Sequence, residues 1–215
     1  TFKLHENLRY GENPHQESSL YIHDNFKLRQ LNGKKLSYNN FNDIFAALSV
    51  SRSLPKNKGT VVVKHTNPCG VSISPNKIQS FRNAIKSDPI SAFGGVISFN
   101  FKLNKKIAEE ISQIFFEVII ANGFDKDSLK ILKKRKNLRL IDSSRIENQD
   151  IQNFRNNFNM LLLQNTDNFK FSPKNFKVVS KIKPSSKTMK NLIFAFNVCR
   201  FVKSNAIVLT KENST

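Results

Sequence analysis

The chain has 215 residues, with 35 Lys+Arg against 16 Asp+Glu, a net charge of +19 and a pI near 10.1. Hydrophobic residues make up 39% and include 19 Phe, which is enough for a core and too much buried-type area for a disordered chain. No apolar run approaches the ~18 residues of a membrane span, no charged-then-apolar leader pattern is present, and two cysteines are too few for a disulfide scaffold or a zinc ribbon.

The predicted elements follow in chain order. Asn42 is positioned to cap a helix carrying Ile44, Phe45 and Leu48. Residues 60–65 form a β-branched run that predicts a strand, ending in a turn at Asn67-Pro68-Cys69-Gly70. Residues 77–86 place Ile78, Phe81 and Ile85 at helical spacing. Gly94-Gly95 leads into a strand at Val96–Phe99, and residues 104–115 put Ile107, Ile111, Ile114 and Phe115 on one helical face. A short buried strand follows at Glu117–Ala121, then a helix over 126–134 and a strand at Leu138–Ile141. Segment 143–185 is rich in Asn, Ser and Lys and reads as one strand, around Met160–Leu163, framed by polar connections. Residues 187–202 read as a helix and Asn205–Leu209 as a strand, with a turn at Lys211-Glu212-Asn213. Strands alternating with helices of this length predict an α/β layered fold with a mainly parallel sheet. The chain opens on Thr1 rather than Met and stops just past a strand, which reads as a fragment of a longer protein.

The charge invites a nucleic-acid reading. Against it, Asn is about as abundant as Lys, Phe and Ile are common, Trp is absent and Gly is scarce, a pattern of general compositional drift. The charge is also spread out: residues 1–100 carry 13 basic and 6 acidic side chains, and residues 101–215 carry 22 and 10. The densest run, Lys133-Lys134-Arg135-Lys136, ends an amphipathic stretch, where cations also suit a helix C-terminus. A basic nucleic-acid-binding α/β module therefore stands as the alternative reading.

Ligands of parallel α/β sheets gather beyond the carboxyl ends of the strands. That rule selects Lys64 and His65, a cation beside an imidazole able to move protons near neutral pH. The competing reading is a satisfied histidine beside a surface lysine. Arg9-Tyr10-Gly11-Glu12-Asn13-Pro14-His15-Gln16 is a polar, turn-rich loop that can present Arg9 to a phosphate, or is simply solvated. Ser87–Gly95 ends in two glycines whose backbone N–H groups can face an anion or merely form a turn. Asn205 can donate its amide to a developing oxyanion or end the preceding helix. Cys69 is a candidate nucleophile only with a low pKa and access. The four histidines show no paired ligand spacing, so no metal is expected, and Walker and Gly-x-Gly-x-x-Gly loops are missing.

Six segments in order carry a resemblance: Leu8–Gln16, Leu36-Ser37-Tyr38-Asn39-Asn40, Val63–Gly70, Ser87–Gly95, Glu117–Ala121 and Phe201–Ile207. Together they resemble the transformylase domain of the bifunctional purine biosynthesis family that joins AICAR formyltransferase to IMP cyclohydrolase. The resemblance implies a three-layer cytidine-deaminase-like fold. Residues 1–142 would be a first such unit, 143–185 a connection and 186–215 the start of a second, with the cyclohydrolase domain absent. It also implies formyl transfer from 10-formyltetrahydrofolate, as co-substrate, to the 5-amino group of AICAR, without a metal. Lys64, His65 and Asn205 would be catalytic, and Arg9, Tyr10, Phe93, Gly94 and Glu117 would bind the nucleotide. A cytoplasmic homodimer is implied for the full-length enzyme, with no membrane or specific nucleic-acid partner. Asn122 and Asn156–Asn159 depart from the family pattern, in loops.

Overall fold

A computed structural model describes residues 2–23, 26, 28–146, 153–167, 172, 174 and 176–215. Residues 147–152, 168–171, 173 and 175 of the polar connection lie outside the described residues.

The chain opens with an antiparallel pair, β1 (Phe2–Asn7) and β2 (Ser19–His23), followed by β3 (Arg29–Asn32). These strands are short and mostly exposed, and β1 and β3 carry charged side chains, so no apolar period announces them. Helix α1 (Tyr38–Ser53) starts a turn earlier than Asn42, because Ser37 is its cap. The Ser37 side chain accepts from the Asn40 N–H at 3.2 Å, and Asn40 Oδ1 accepts from the Ser37 N–H at 3.1 Å. This reciprocal box satisfies two otherwise orphaned donors and fixes the helix start.

A hairpin follows, β4 (Gly59–Lys64) and β5 (Asn67–Ile73). Its turn is His65-Thr66, so the expected turn at Asn67–Gly70 is instead the first half of β5. The register slips by one residue between Val62 and Val63, opposite Gly70 and Pro68, which accommodates Cys69 as a bulge. Pro68 lacks an N–H and is tolerated because β5 is an edge strand. Next come α2 (Lys77–Ser87), the short α3 (Pro89–Ala92), β6 (Val96–Phe99), α4 (Lys105–Ile111), β7 (Val118–Ala121), α5 (Lys126–Leu132) and β8 (Arg139–Asp142). The polar connection holds a hairpin, β9 (Asn153–Asn157) and β10 (Met160–Gln164), where one strand was expected. Helix α6 (Ser186–Cys199) completes the elements.

Six strands form one sheet in the order β3-β8-β7-β6-β4-β5. The expectation of a mainly parallel sheet is corrected: the sheet is mixed. Only β6–β7 and β7–β8 are parallel, each pair joined by a helical crossover. The two-residue turn forces β5 antiparallel to β4, and β4 also runs antiparallel to β6. Alternation along β4 divides the core. Val61 and Val63 pack with α1 and α6, while Val62 packs with α2, α4 and α5 on the other face. The result is three layers, helix–sheet–helix.

Residues 205–209 do not form the expected strand; Ile207 and Leu209 are 87% and 82% exposed. The chain pairs with β5 further on, where the Thr215 N–H donates to the Val71 carbonyl at 2.9 Å and the Ile73 N–H to the Asn213 carbonyl at 3.0 Å. Among the described residues, no helix is long and apolar enough to cross a membrane.

Candidate active site

The sheet register builds one row of residues along a single edge. Val63 of β4 is opposite Val96 of β6, Val96 opposite Val118 of β7, and Val118 opposite Arg139 of β8. One residue further out along that edge stand Lys64, Gly95, Glu117 and Leu138. This edge is the carboxyl end of β4 but the amino end of β6, β7 and β8. The rule for parallel sheets therefore leads to this edge in a sheet whose strand directions differ from the expected ones.

Lys64 is half-buried, and its Nζ donates to the Phe93 carbonyl at 2.9 Å. It also helps hold the Asp88 carboxyl below its ordinary range, behind the hydrogen bonds from Ser91. His65 is exposed at the hairpin tip. Its φ is 52° and that of Thr66 is 63°, so both turn residues occupy the left-handed region. This is the geometry of the tightest hairpin turns, usually supplied by Asn-Gly. Here the Asp43 Oδ1 on α1 accepts from the Thr66 N–H at 2.7 Å. Burial pushes the Asp43 carboxyl above its ordinary range and Glu117 adds to that, whereas the Thr66 N–H and His65 oppose it.

One turn earlier on α1, Asn40 donates its Nδ2 to Glu117 Oε2 at 2.9 Å. Arg139, only 8% exposed, stands 3.8 Å from the same carboxylate and donates Nε to the Lys35 carbonyl at 3.2 Å. Burial lowers the Arg139 pKa, Glu117 counteracts this and Arg9 reinforces it, so Arg9 lies within electrostatic reach of Arg139. Arg9 lies 4.7 Å above the Tyr10 ring, and one of its terminal nitrogens donates to the Tyr10 hydroxyl at 2.9 Å. Asn39 ties this loop to α1 by donating to the Glu12 carbonyl at 3.0 Å. On the other side, Phe93 is exposed and packs on Phe115 at 5.3 Å between ring centroids. Gly94, at φ 73°, donates its N–H to the Phe115 carbonyl at 2.8 Å, a left-handed conformation that favours glycine.

The structure thus brings Lys64, His65, Phe93, Gly94 and Glu117 to one edge, with the Arg9-Tyr10 loop within electrostatic reach of Arg139 and tied to α1 through Asn39. Asn205 is exposed and joins them only indirectly. Two residues before it, the Lys203 N–H donates to Asn67 Oδ1 at 3.5 Å, just past the hairpin turn. Cys69 is corrected as a nucleophile: burial and then Asp88 push its thiol up to about 11, against Lys64. Asn40, Asp43 and Arg139 were missed. Their signals were an i, i+3 pair of short polar side chains after a capping serine, and a charged residue opening a short strand beside the apolar pair Leu140-Ile141.

The edge combines an imidazole, two carboxylates, a half-buried ammonium and two guanidinium groups. Such a set can hold an anionic ligand and move a proton.

A sequence model of the AICARFT/IMPCHase bienzyme family matches residues 1–215. The chain is 41% identical to the bifunctional purine biosynthesis protein PurH of Thermoanaerobacter sp. (strain X514), with 98% of this chain and 42% of that protein covered. It is 42% identical to PurH of Leptospira biflexa, covering 100% of this chain and 42% of the relative. It is 38% identical to PurH of Prochlorococcus marinus, covering 100% and 44%. The chain spans about two-fifths of the length of these curated relatives. The chain belongs to the AICARFT/IMPCHase bienzyme family.

Proposed function

We propose that this chain carries the nucleotide-facing part of an AICAR formyltransferase in purine biosynthesis, and that the whole protein is also an IMP cyclohydrolase. The fold we assign to the described layers is cytidine-deaminase-like, with residues 1–142 as a first unit and 186–215 as the start of a second. The whole enzyme would work as a cytoplasmic homodimer.

In the proposed reaction, the 5-amino nitrogen of AICAR attacks the formyl carbon of 10-formyltetrahydrofolate. The bond from that carbon to N10 of the folate breaks. His65 takes the proton from the attacking amine. That amine is conjugated with the imidazole ring and is a poor nucleophile, so proton removal during attack helps it. Lys64 supplies a proton toward the leaving N10. Asn205 donates to the oxygen of the tetrahedral carbon. Arg9, stacked on Tyr10, offers its planar fork to the nucleotide. Glu117, anchored by Asn40 and Arg139, accepts hydrogen bonds from polar groups of the substrate. Phe93 and Gly94 form the wall beside Lys64.

The observation that carries this reading is the common edge. Motifs far apart in sequence, at residues 64–65, 93–94 and 117, meet there in a chain of this family, with the loop at residues 9–10 in electrostatic reach of Arg139 beside Glu117. The test uses the full-length protein and follows formyl transfer to AICAR. Lys64→Ala and His65→Ala should each lower kcat by about 10²- to 10⁴-fold, the span of general acid–base assistance. Unchanged kcat in both would overturn the assignment.

A further inference from the structure

We propose that Asp43 is a positioning residue for the formyl transfer, acting on His65 through the backbone of the β4–β5 turn. The inference rests on the reading of His65 as the base.

His65 and Thr66 occupy a turn that asks for left-handed backbone at two successive positions, φ 52° and 63°. Histidine tolerates that region better than most side chains, but a β-branched threonine is poorly suited to it. Such a conformation persists where the surroundings over-determine it. The turn's own side chains do little for this: Thr66 Oγ1 donates to the carbonyl of His65 at 2.7 Å, within the turn itself. The hold from outside comes from Asp43, whose Oδ1 accepts the Thr66 N–H at 2.7 Å.

Asp43 can serve as a fixed reference because α1 is fixed. The buried residues Phe41, Ile44 and Ala47 flank it in sequence, and the helix starts on the Ser37–Asn40 box. The same helix face sends Asn40 to Glu117 one turn earlier. A single rigid element therefore sets both the imidazole-bearing turn and the carboxylate across the edge from it. Loss of the Asp43 acceptor frees the turn, and His65 then samples positions from which it does not reach the substrate amine. Displacement of a catalytic group by about 1 Å is enough to lower a rate by about 10²-fold.

The experiment compares wild type, Asp43→Ala, Asp43→Asn and His65→Ala in the full-length protein. Asp43→Asn keeps an acceptor oxygen and Asp43→Ala removes it. Asp43→Ala should lower kcat by about 10- to 100-fold with the KM for AICAR little changed, while Asp43→Asn restores most of the loss. A purely architectural role would instead reduce the folded fraction and leave kcat per folded molecule alone. A second readout does not depend on catalysis. The Thr66 amide, observed by ¹⁵N-resolved NMR, should be protected from hydrogen exchange in wild type and Asp43→Asn and exposed in Asp43→Ala. An unprotected Thr66 amide in wild type, or a kcat for Asp43→Ala within a factor of about two of wild type while His65→Ala is crippled, overturns the proposal. Full activity in His65→Ala overturns the underlying reading instead, and leaves the exchange result to judge Asp43's hold on the turn.

Discussion

Cys69 illustrates how burial sorts reactive residue types at this edge. Its Sγ donates to the Val62 carbonyl at 3.6 Å, and burial, then Asp88, push the thiol up to about 11, while Lys64 pulls the other way. Reaction of a thiol needs the thiolate. At pH 8 a thiol at about 11 holds roughly 100-fold less thiolate than one at an ordinary value near 9. Alkylation of Cys69 by iodoacetamide, followed by mass spectrometry of its peptide, should therefore be slow at pH 8 and rise steeply only above about pH 10. The sign for stability follows from the same shift. The folded state holds this proton more tightly than the unfolded chain, so the contribution is full below about pH 9 and fades as pH climbs through about 11. Fast alkylation at pH 8 would show that the thiol is neither buried nor raised. Lys64, half-buried at the same edge, donates its Nζ to the Phe93 carbonyl.

At the scale of elements, the β4–β5 hairpin positions the site, and its seat on α2 is tight. A Cβ added at Gly70 would lie 2.0 Å from the Ala84 carbonyl oxygen of that helix, which is backbone and cannot rotate away. Gly70→Ala must therefore push β5 and α2 apart or break the bulge at Val62–Val63. We expect a loss of about 3 kcal/mol or more, in the range of overpacked cores. Urea unfolding of the variant checks it, and a loss below about 0.5 kcal/mol would mean that the helix sits further away. The same hairpin shows what sequence reading reaches. The runs Val61–Val63, Val96–Phe99 and Val118–Ala121 are legible because fully buried strands are continuously apolar. The turn was misplaced because Pro68 and Gly70 are strong local turn signals, while His65-Thr66 carries none and is held by the β4–β5 ladder and by Asp43, more than twenty residues upstream. Strands β1 to β3 were invisible for a similar reason. Lys3, His5, Arg29 and Gln30 lie in them at a half-solvated surface, where pairing rather than hydrophobic pattern decides.

For the molecule as a whole, the residues gathered at the candidate edge were more legible than the topology. Catalytic and binding candidates sit in short segments whose residue types are demanded by chemistry. Strand direction follows the connections: the helical crossovers to β7 and β8 were legible and give parallel pairs, whereas the misplaced β4–β5 turn and the unseen β3 make the sheet mixed. Asn205 stands apart from that edge: it is exposed, in a segment whose apolar Ile207 and Leu209 have no ladder to join. The groups gathered by the sheet are those suited to a phosphorylated nucleotide, and Lys64 is the one proposed to face the folate. A formyl transfer needs both reactants held in attack geometry, which is worth far more than either alone. Residues 1–215 purified by themselves should therefore fold, giving a cooperative thermal transition, yet form no formyl-AICAR above the uncatalysed rate. Supplied with AICAR alone they should still bind it, weakly, and Arg9→Ala should weaken that binding by about tenfold, the loss of one charge-assisted contact. Formyl transfer by these residues within about 100-fold of the full-length rate would mean that the folate side is also built here. A folded chain with no affinity for AICAR would mean that the edge needs elements outside these residues even to receive the nucleotide.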